Sequence, residues 1–481
     1  MTLRIFTTAA IAVLLAAGSA GAADSATPVV AAARASDVAA VRLRISEHAD
    51  VNAPEADGTT ALHWAVQQSN APMIDLLLAA GANPNAANRY GVTPLHVAAV
   101  NADAAVITTL LDHHADPNLA QPGGETPLMT AARAGRVASI TALLTHGANV
   151  SARESWKGQT ALMWAAADNH ADAIKVLLAA GANLNERSKA GAFSPFLFAV
   201  RGGHIDAARV LLDAGADINQ TLPDGTSALT LAVMNAHYEL ASVLLDYGAD
   251  PNAAAQGWTP LHQLAWTRRP NYGYNLPGPV ATGALDAIDL VKLLVLYGAD
   301  VNARETKEPR DGNRNMLNRI GATPFLLAAK AVDLPLMKAL VADGANPALP
   351  NVDGTTPLMV AAGVGIWAPG ESPGTEEEAL AAVRFLLDAH AGAVTDVDAN
   401  GNTAAHGAVL RGGSLPILRL LVERGARLDV KNKRGWTPLT IAEGVEYTPD
   451  IFKRYPETAA AIRQMMSARV DDPRGQARQS P

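Results

Sequence analysis

A five-residue opening, Gly-x-Thr-Pro/Ala-Leu in its fullest form, recurs eleven times along this chain of 481 residues. The copies begin at Gly58, Gly91, Gly124, Gly158, Ala192 (where Gly is displaced by one residue), Gly225, Gly257, Gly321, Gly354, Gly401 and Gly435. The steps between them are 33, 33, 34, 34, 33, 32, 64, 33, 47 and 34 residues. A regular period of this size indicates an array of repeats, because each repeat buries its apolar face against its neighbours.

Each opening has the chemistry of a helix start. Pairs such as Thr93-Pro94 place a hydroxyl at the N-cap and a ring with a preset φ at the first helical position. Small and apolar residues follow, and a second helix then carries paired leucines such as Leu110-Leu111. That helix runs into a Gly-Ala-Asp/Asn sequence, as at Gly147, whose glycine suits a left-handed C-terminal cap. The pattern predicts a helix–turn–helix unit followed by a turn.

The period near 33 and the Thr-Pro-Leu-His type of opening resemble ankyrin repeats. The resemblance implies an all-α fold, an ankyrin-repeat α-solenoid of helix–turn–helix repeats joined by β-hairpin-like loops. We number the repeats one to eleven from Gly58 and place them in residues 58–443. Residues 27–57 are expected to form an N-terminal capping or degenerate repeat, residues 444–470 a C-terminal capping helix, and residues 471–481 a disordered tail.

Residues 1–22 have the pattern of a secretory signal peptide. Arg4 provides a positive start, Ile5 to Ala17 an apolar run, and Ala20-Gly21-Ala22 a small-residue cleavage site. The alternative, an uncleaved anchor, is disfavoured because 13 apolar residues are too few to span a bilayer, which needs about 20. We therefore expect a periplasmic or secreted protein without membrane insertion after cleavage. The chain has no Cys, which excludes disulfides and thiolate metal sites.

Composition and motifs argue against several functional classes. A net charge of -8 disfavours a nucleic-acid partner, because phosphate binding needs clustered Lys and Arg. No HExxH, GxSxG or phosphate-binding glycine loop occurs, so we expect no enzyme activity, no catalytic residues, no cofactor and no metal site. Four histidines occupy one slot of the repeat, which Met129, Met163 and other residues occupy elsewhere, and this recurrence favours a framework role: His63, His96, His262 and His406.

Three insertions in repeats seven to nine depart from the repeat pattern. They lie at about residues 266–284, 304–320 and 363–378, and insertions in repeat arrays map to loops that are often on the binding face. They are rich in Trp, Tyr and Arg, the residues that most often anchor interfaces. The predicted partner-binding residues are Trp266, Arg268, Arg269, Tyr272, Tyr274, Arg310, Arg314 and Trp367. Two alternatives stay open: the loops only pack on the flank of the solenoid, with Arg pairing to the acidic third loop, or they form an active site.

These insertions also look like those of signal-bearing bacterial ankyrin proteins, a likeness that implies an extracytoplasmic bacterial protein and brings no assigned activity with it. Ankyrin proteins generally bind partners across the surface made by hairpin tips and first helices. We therefore expect a monomeric scaffold or adaptor that binds another protein through this groove and the insertions. A narrower role is inhibitor or regulator of a periplasmic enzyme. The alternative function is a small-ligand-binding protein or enzyme with a site built on the insertions.

Overall fold

A computed structural model describes residues 27–269, 278–308, 316–366, 374–448 and 451–470. The predicted signal segment and the predicted C-terminal tail lie outside these described residues. The chain divides into two compact units, Met1–Asp217 and Ile218–Pro481.

Unit 1 consists of helix pairs, a short first helix and a slightly longer second helix in each. The helices are α1 (Pro28–Arg34), α2 (Val38–Ser46), α3 (Ala61–Gln67), α4 (Ala71–Ala79), α5 (Pro94–Asn101), α6 (Ala104–Asp112), α7 (Pro127–Arg133), α8 (Val137–Thr145), α9 (Ala161–Ala167), α10 (Ala171–Ala179), α11 (Pro195–Gly202) and α12 (Ile205–Asp213). The first pair lies in residues 27–57, where the sequence lacks a full repeat opening.

Unit 2 continues the same arrangement with longer connections. Its helices are α13 (Ala228–Met234), α14 (Tyr238–Asp246), α15 (Pro260–Arg268), α16 (Ala287–Leu296), α17 (Pro324–Lys330), α18 (Leu334–Ala342), α19 (Pro357–Ala362), α20 (Glu376–Asp388), α21 (Ala404–Leu410), α22 (Leu415–Glu423), α23 (Pro438–Glu443) and α24 (Pro456–Val470). An antiparallel pair of strands, β1 (Val445–Thr448) and β2 (Ile451–Lys453), precedes α24.

Capping residues set the ends of these helices as the sequence indicates. Thr93 is the N-cap of α5, and its hydroxyl accepts a hydrogen bond from the backbone N–H of His96 at 3.3 Å. At the end of α8, Gly147 has a left-handed φ of 85°, and the backbone N–H of Ala148 reaches back to the carbonyl of Leu143 at 3.0 Å. A side chain at Gly147 would meet the strain of positive φ.

Each unit has a continuous apolar core between its helices. First helices of successive repeats pack side by side, and second helices form a neighbouring row. The leucine of each opening lies between them, and Leu62, Leu95, Leu128 and Leu162 are all at most 1% exposed. The prediction of an all-α ankyrin-repeat solenoid is confirmed. Within the described residues, no helix is both long and apolar enough to cross a membrane.

The structure differs from the sequence prediction at three boundaries. The first predicted insertion begins inside α15, so Trp266 and Arg268 belong to the last turn of that helix. The last three residues of the third predicted insertion, 376–378, form the first turn of α20, because Thr375 and Glu378 make a capping box. The strand pair between α23 and α24 is absent from the sequence prediction, which has only a helix there.

Candidate binding surface

Each of the four recurring histidines connects its own repeat to the next one. In repeat one the backbone N–H of Thr60 donates to Nδ1 of His63 at 3.2 Å, so the proton of the neutral ring is on Nε2. Nε2 lies 3.0 Å from the carbonyl oxygen of Val92 in the following repeat and donates to it. Burial lowers the pKa of His63, as expected for a neutral ring without exposed surface. A ring held in this way has a framework role.

One of the predicted partner-binding residues, Arg268, is engaged inside unit 2. Its Nε and Nη2 atoms donate to the two carboxylate oxygens of Asp333 at 2.7 and 3.2 Å. Asp333 is fully buried and is the N-cap of α18, where it also accepts from the backbone N–H of Leu336 at 3.2 Å. Burial is the largest single influence on the pKa of Arg268 and lowers it. The hydrogen bond to Asp333 and nearby negative charges, chiefly that of Asp333, together outweigh burial, so the pKa is raised. Arg268 therefore joins α15 to α18.

Two further predicted residues also have internal partners. Arg269 Nη2 lies 2.7 Å from Glu378 Oε1, and this hydrogen bond lowers the pKa of the Glu378 carboxyl. The guanidinium of Arg319 lies over the ring of Trp266, 4.7 Å from its centroid, and forms a buried ion pair with Glu305. Such pairing agrees with the alternative in which arginines of the insertions contact the acidic third segment and the aromatic rings pack internally.

The other five predicted partner-binding residues lie outside the described residues: Tyr272, Tyr274, Arg310, Arg314 and Trp367. A binding role for the insertions stays a prediction.

A cleft that the sequence analysis did not identify lies in unit 1, across repeats three to five. It has a volume of about 510 Å³ and is lined by aromatic and charged side chains from hairpin tips and first helices. The lining residues are Gln121, Gly123, Glu125, Arg133, Glu154, Trp156, Lys157, Gln159, Trp164, Ala167, Asp168, Phe198 and Arg201. This combination of aromatic rings with Arg is typical of interface anchors.

Trp156 is the most prominent residue of the cleft, because 84% of its surface is exposed. Its backbone is nevertheless fixed. The carboxylate of Glu154, only 7% exposed, accepts from the backbone N–H groups of Trp156 at 2.7 Å, Lys157 at 2.9 Å and Gln159 at 2.8 Å. In repeat two, Asn88 makes the equivalent turn with one residue fewer. The longer Glu side chain thus supports a longer hairpin that presents an indole ring to solvent.

Cation–aromatic stacks form the wall of the cleft. The Arg133 guanidinium lies over the Trp164 ring at 4.6 Å from its centroid and pairs with Glu125 at 3.3 Å. The Trp164 Nε1–H donates to Gln159 Oε1 at 3.0 Å. Arg201 lies over the ring of Phe198 at 5.0 Å, and burial lowers the pKa of its guanidinium. The wall is therefore ordered before any partner arrives.

A comparison of repeat slots could have found this cleft. The fourth residue after the N-cap is aromatic at Trp64, Trp164 and Phe198, whereas Val97 and Thr130 occupy this slot in repeats two and three. Trp156 precedes its repeat glycine by two residues, a slot filled by Arg89 and other small or polar residues elsewhere in unit 1. The signal is a local excess of aromatic residues, which is easily missed when the openings are counted as framework.

Unit 2 has a smaller cleft, of about 200 Å³, beside the half-buried ring of Trp436 and the exposed Arg434 that stacks on it at 4.9 Å. Among the residues that the structure describes, no group of three His, Asp or Glu side chains could hold a metal ion.

Comparison with known proteins identifies the repeats. The model for ankyrin repeats in sets of three copies matches residues 9–88, 29–121, 95–188, 196–272 and 375–448, and the model for a single ankyrin repeat matches residues 256–306. These matches cover most of the chain.

Two curated relatives show the extent of similarity. The putative palmitoyltransferase ZDHHC13 of Danio rerio is 32% identical over 179 residues, which are 33% of this chain and 26% of that protein. The ankyrin repeat-containing protein P1E11.10 of Schizosaccharomyces pombe is 40% identical over 58 residues, 12% of this chain and 28% of that protein. The chain thus spans about a quarter of the length of these relatives, and the likeness to the palmitoyltransferase rests on its ankyrin region alone. On the evidence of the family models and of the helix pairs, this chain belongs to the ankyrin-repeat family.

Proposed function

We propose that this chain is an extracytoplasmic scaffold or adaptor that binds another protein through the cleft of repeats three to five. Ankyrin repeats imply protein–protein interaction, and the fold is typically a non-enzymatic interaction scaffold. The signal-peptide pattern of residues 1–22 supports a periplasmic or secreted location.

One observation carries this proposal: a tryptophan that is 84% exposed stands on a hairpin whose backbone is held by the buried carboxylate of Glu154. Exposing an indole to water is unfavourable, and a held backbone reduces the conformational entropy lost when a partner covers the side chain. Tryptophan is also the residue type most enriched among those that dominate binding energy. Trp156 therefore supports a role in recognition better than any other described residue.

Narrower roles rest on the sequence. We propose a bacterial, monomeric protein that does not bind nucleic acid and does not enter the membrane after signal cleavage. Inhibition or regulation of one periplasmic enzyme is a runner-up role within this class. The tyrosines of the first insertion, Tyr272 and Tyr274, are proposed as a second contact region, since Trp266, Arg268 and Arg269 already have internal partners.

The test is affinity capture from a bacterial envelope extract with the mature chain and three variants. Trp156→Ala removes the exposed indole, Tyr272→Ala with Tyr274→Ala alters the first insertion, and Leu296→Ala removes an apolar side chain that is 77% exposed in unit 2. We expect the mature chain and L296A to capture the same partner protein in equal amounts. W156A should fail to capture this protein. Capture that W156A leaves unchanged would place the binding surface elsewhere, and loss only in the tyrosine variant would place it at the insertion.

A further inference from the structure

The hairpin tips of repeats three to five and the tip before them form one continuous row, which we call the tip row: residues 88–91, 121–124, 154–158 and 188–191. Backbone hydrogen bonds join neighbouring tips, from Ser155 N–H to the Gly123 carbonyl at 2.8 Å and from Lys189 N–H to the Lys157 carbonyl at 2.7 Å. A Cβ placed on Gly123 would lie 3.6 Å from Nε1 of Trp156, so the indole lies close to the preceding tip. The two backbone hydrogen bonds connect the last three tips, and the first tip lies against the second, since a Cβ on Gly91 would clash with Cδ of Pro122.

Three carboxylates in or beside the tip row have internal partners, whereas Asp168, which also lines the cleft, has none among the described residues. Glu154 accepts backbone N–H groups of its own turn, and Glu125 pairs with Arg133. Glu186, two residues before the last tip, forms an ion pair with Arg153. The charges of Glu125 and Glu186 are thus paired with arginines, and the carboxylate of Glu154 is directed toward its own backbone.

The cations of the tip row have no such carboxylate partners within the described part of the chain. Lys157 and Lys189 are both exposed and form no ion pair there. Arg89 is exposed and donates to the hydroxyl of Tyr90 at 2.6 Å, with its guanidinium over the same ring at 4.7 Å. The row is therefore cationic and aromatic, although the whole chain has a net charge of -8.

One donor group of the tip row is also unsatisfied. Nε2 of Gln121 is buried in the cleft and has no hydrogen-bond partner in the described structure. An unpaired buried donor is unfavourable, and an acceptor brought by a partner would remove this cost. Carboxylate and carbonyl oxygens are the acceptors that would satisfy both this amide and the lysine ammonium groups.

From this arrangement we infer that the tip row binds an acidic, extended segment of a partner protein, with an apolar side chain of that segment against Trp156. The inference rests on the proposed function and specifies the chemistry of its partner. Glutamate or aspartate side chains meet Lys157, Lys189 and Arg89, while the cleft receives the apolar side chain. Exposed charges of this kind contribute mainly to specificity and to the rate of association, and the indole contributes most of the affinity.

The probe is a fluorescein-labelled peptide in which glutamates flank a single phenylalanine, compared with versions that have serine or lysine in place of glutamate. Binding to the mature chain is measured by fluorescence anisotropy at low and at physiological salt. The variants are Lys157→Glu with Lys189→Glu, Trp156→Ala, and Lys175→Glu with Lys292→Glu. The last pair is the charge control, because it makes the same change in charge on exposed second helices, although each of these lysines pairs with an aspartate of its own helix. A single-stranded DNA oligonucleotide serves as a second polyanion.

We expect the glutamate peptide to bind about tenfold more tightly than the serine version, with this preference weakened by salt. K157E/K189E should remove the preference while K175E/K292E keeps it, and W156A should weaken all binding by roughly thirtyfold. The inference is overturned if the three peptides bind equally or if the control pair K175E/K292E loses the preference as well. It is also overturned if the DNA binds as tightly as the glutamate peptide and depends on Lys157 and Lys189 to the same extent. If W156A loses the partner captured from the envelope extract while K157E/K189E keeps it, the proposed function stands and the acidic chemistry is wrong.

Discussion

His262 Nε2 lies 3.1 Å from the carbonyl oxygen of Ala322, a residue 60 positions further along the chain. The backbone N–H of Thr259 donates to Nδ1 of the same ring at 3.2 Å, which leaves the proton on Nε2 for the Ala322 carbonyl. The ring is fully buried, and its burial lowers the pKa of His262 to about 3. The contact between the histidine of one repeat and the backbone of the next is thereby kept, although two insertions separate them in the sequence.

Acid should destabilise the protein through these histidines. The histidine ring has a pKa near 6.5 in the unfolded chain. Below this pH the ring binds a proton in the unfolded state but stays neutral in the folded state. Stability is therefore fully present above about pH 6.5 and falls as the pH drops toward the folded pKa values, about 4 for His96 and about 3 for His262. Between pH 7 and pH 5, His262 should cost about 2 kcal/mol.

Urea unfolding followed by circular dichroism at several pH values measures this loss. His262→Met should reduce the pH dependence, since Met occupies the same slot in three other repeats. His113→Met, which removes an exposed imidazole at a helix end, is the control for the loss of a histidine. A H262M chain that loses as much stability at pH 5 as the unmodified chain would contradict the assignment.

Replacement of Arg411 by Met should stabilise unit 2. Nε and Nη2 of Arg411 are buried without a hydrogen-bond partner among the described residues, and burial lowers the pKa of its guanidinium to about 10. An apolar side chain of similar length removes this desolvation penalty, so the unfolding free energy should rise by about 1–3 kcal/mol. Arg424→Met, which breaks an exposed pair with Asp388, should change it by less than about 1 kcal/mol. A lower urea midpoint for R411M would show that the guanidinium has a stabilising partner.

Loss of the Asp333 carboxylate should be costly. Asp333→Asn keeps an N-cap acceptor for α18 but leaves Arg268 without its charge partner, and we expect a loss of about 2 kcal/mol or more. Asp103→Asn is the matched control, because Asp103 caps α6 in the same way and has no arginine partner among the described residues. Equal urea midpoints for D333N and D103N would mean that the Arg268 pair contributes little.

Trp156→Ala should leave folding unchanged. An indole that is 84% exposed contributes little apolar burial, and surface changes of this kind alter stability by at most about 0.5 kcal/mol. Thermal and urea unfolding of W156A should match those of the unmodified chain. A clear drop in the midpoint would mean that the indole stabilises the hairpin, and any binding defect of W156A would then need a different explanation.

The repeats were predictable from sequence because each one contains the capping residues that begin and end its helices. Thr-Pro at the helix start and Gly at the helix end act locally, and Thr93 and Gly147 show the expected cap geometry. The recurring histidines make the framework contacts that the sequence predicts, because they occupy the same slot in each copy. Such local rules recur in every copy, so the copies confirm each other.

The cleft and the insertion contacts depend on spacing between repeats, which local rules do not specify. Trp156 is exposed because Glu154 holds a longer turn, and the sequence analysis gave that turn no separate meaning. Arg268 and Asp333 are 65 residues apart, so their pairing needs the three-dimensional stack. The β1–β2 strand pair was also absent from the prediction, because its short segments lie between two helix signals.

The central claim is that a partner protein contacts the cleft at Trp156, and site-specific photocrosslinking tests it most directly. A photoreactive phenylalanine analogue is placed at position 156, at position 272 in the first insertion, or at position 43, where Leu43 is 54% exposed on α2. After irradiation with envelope extract, crosslinked products are separated by mass and identified by mass spectrometry. The account predicts one dominant partner crosslinked from position 156 and none from position 43. Crosslinking to the same proteins from positions 156 and 43 would contradict the claim, and so would crosslinking to a partner from position 272 alone.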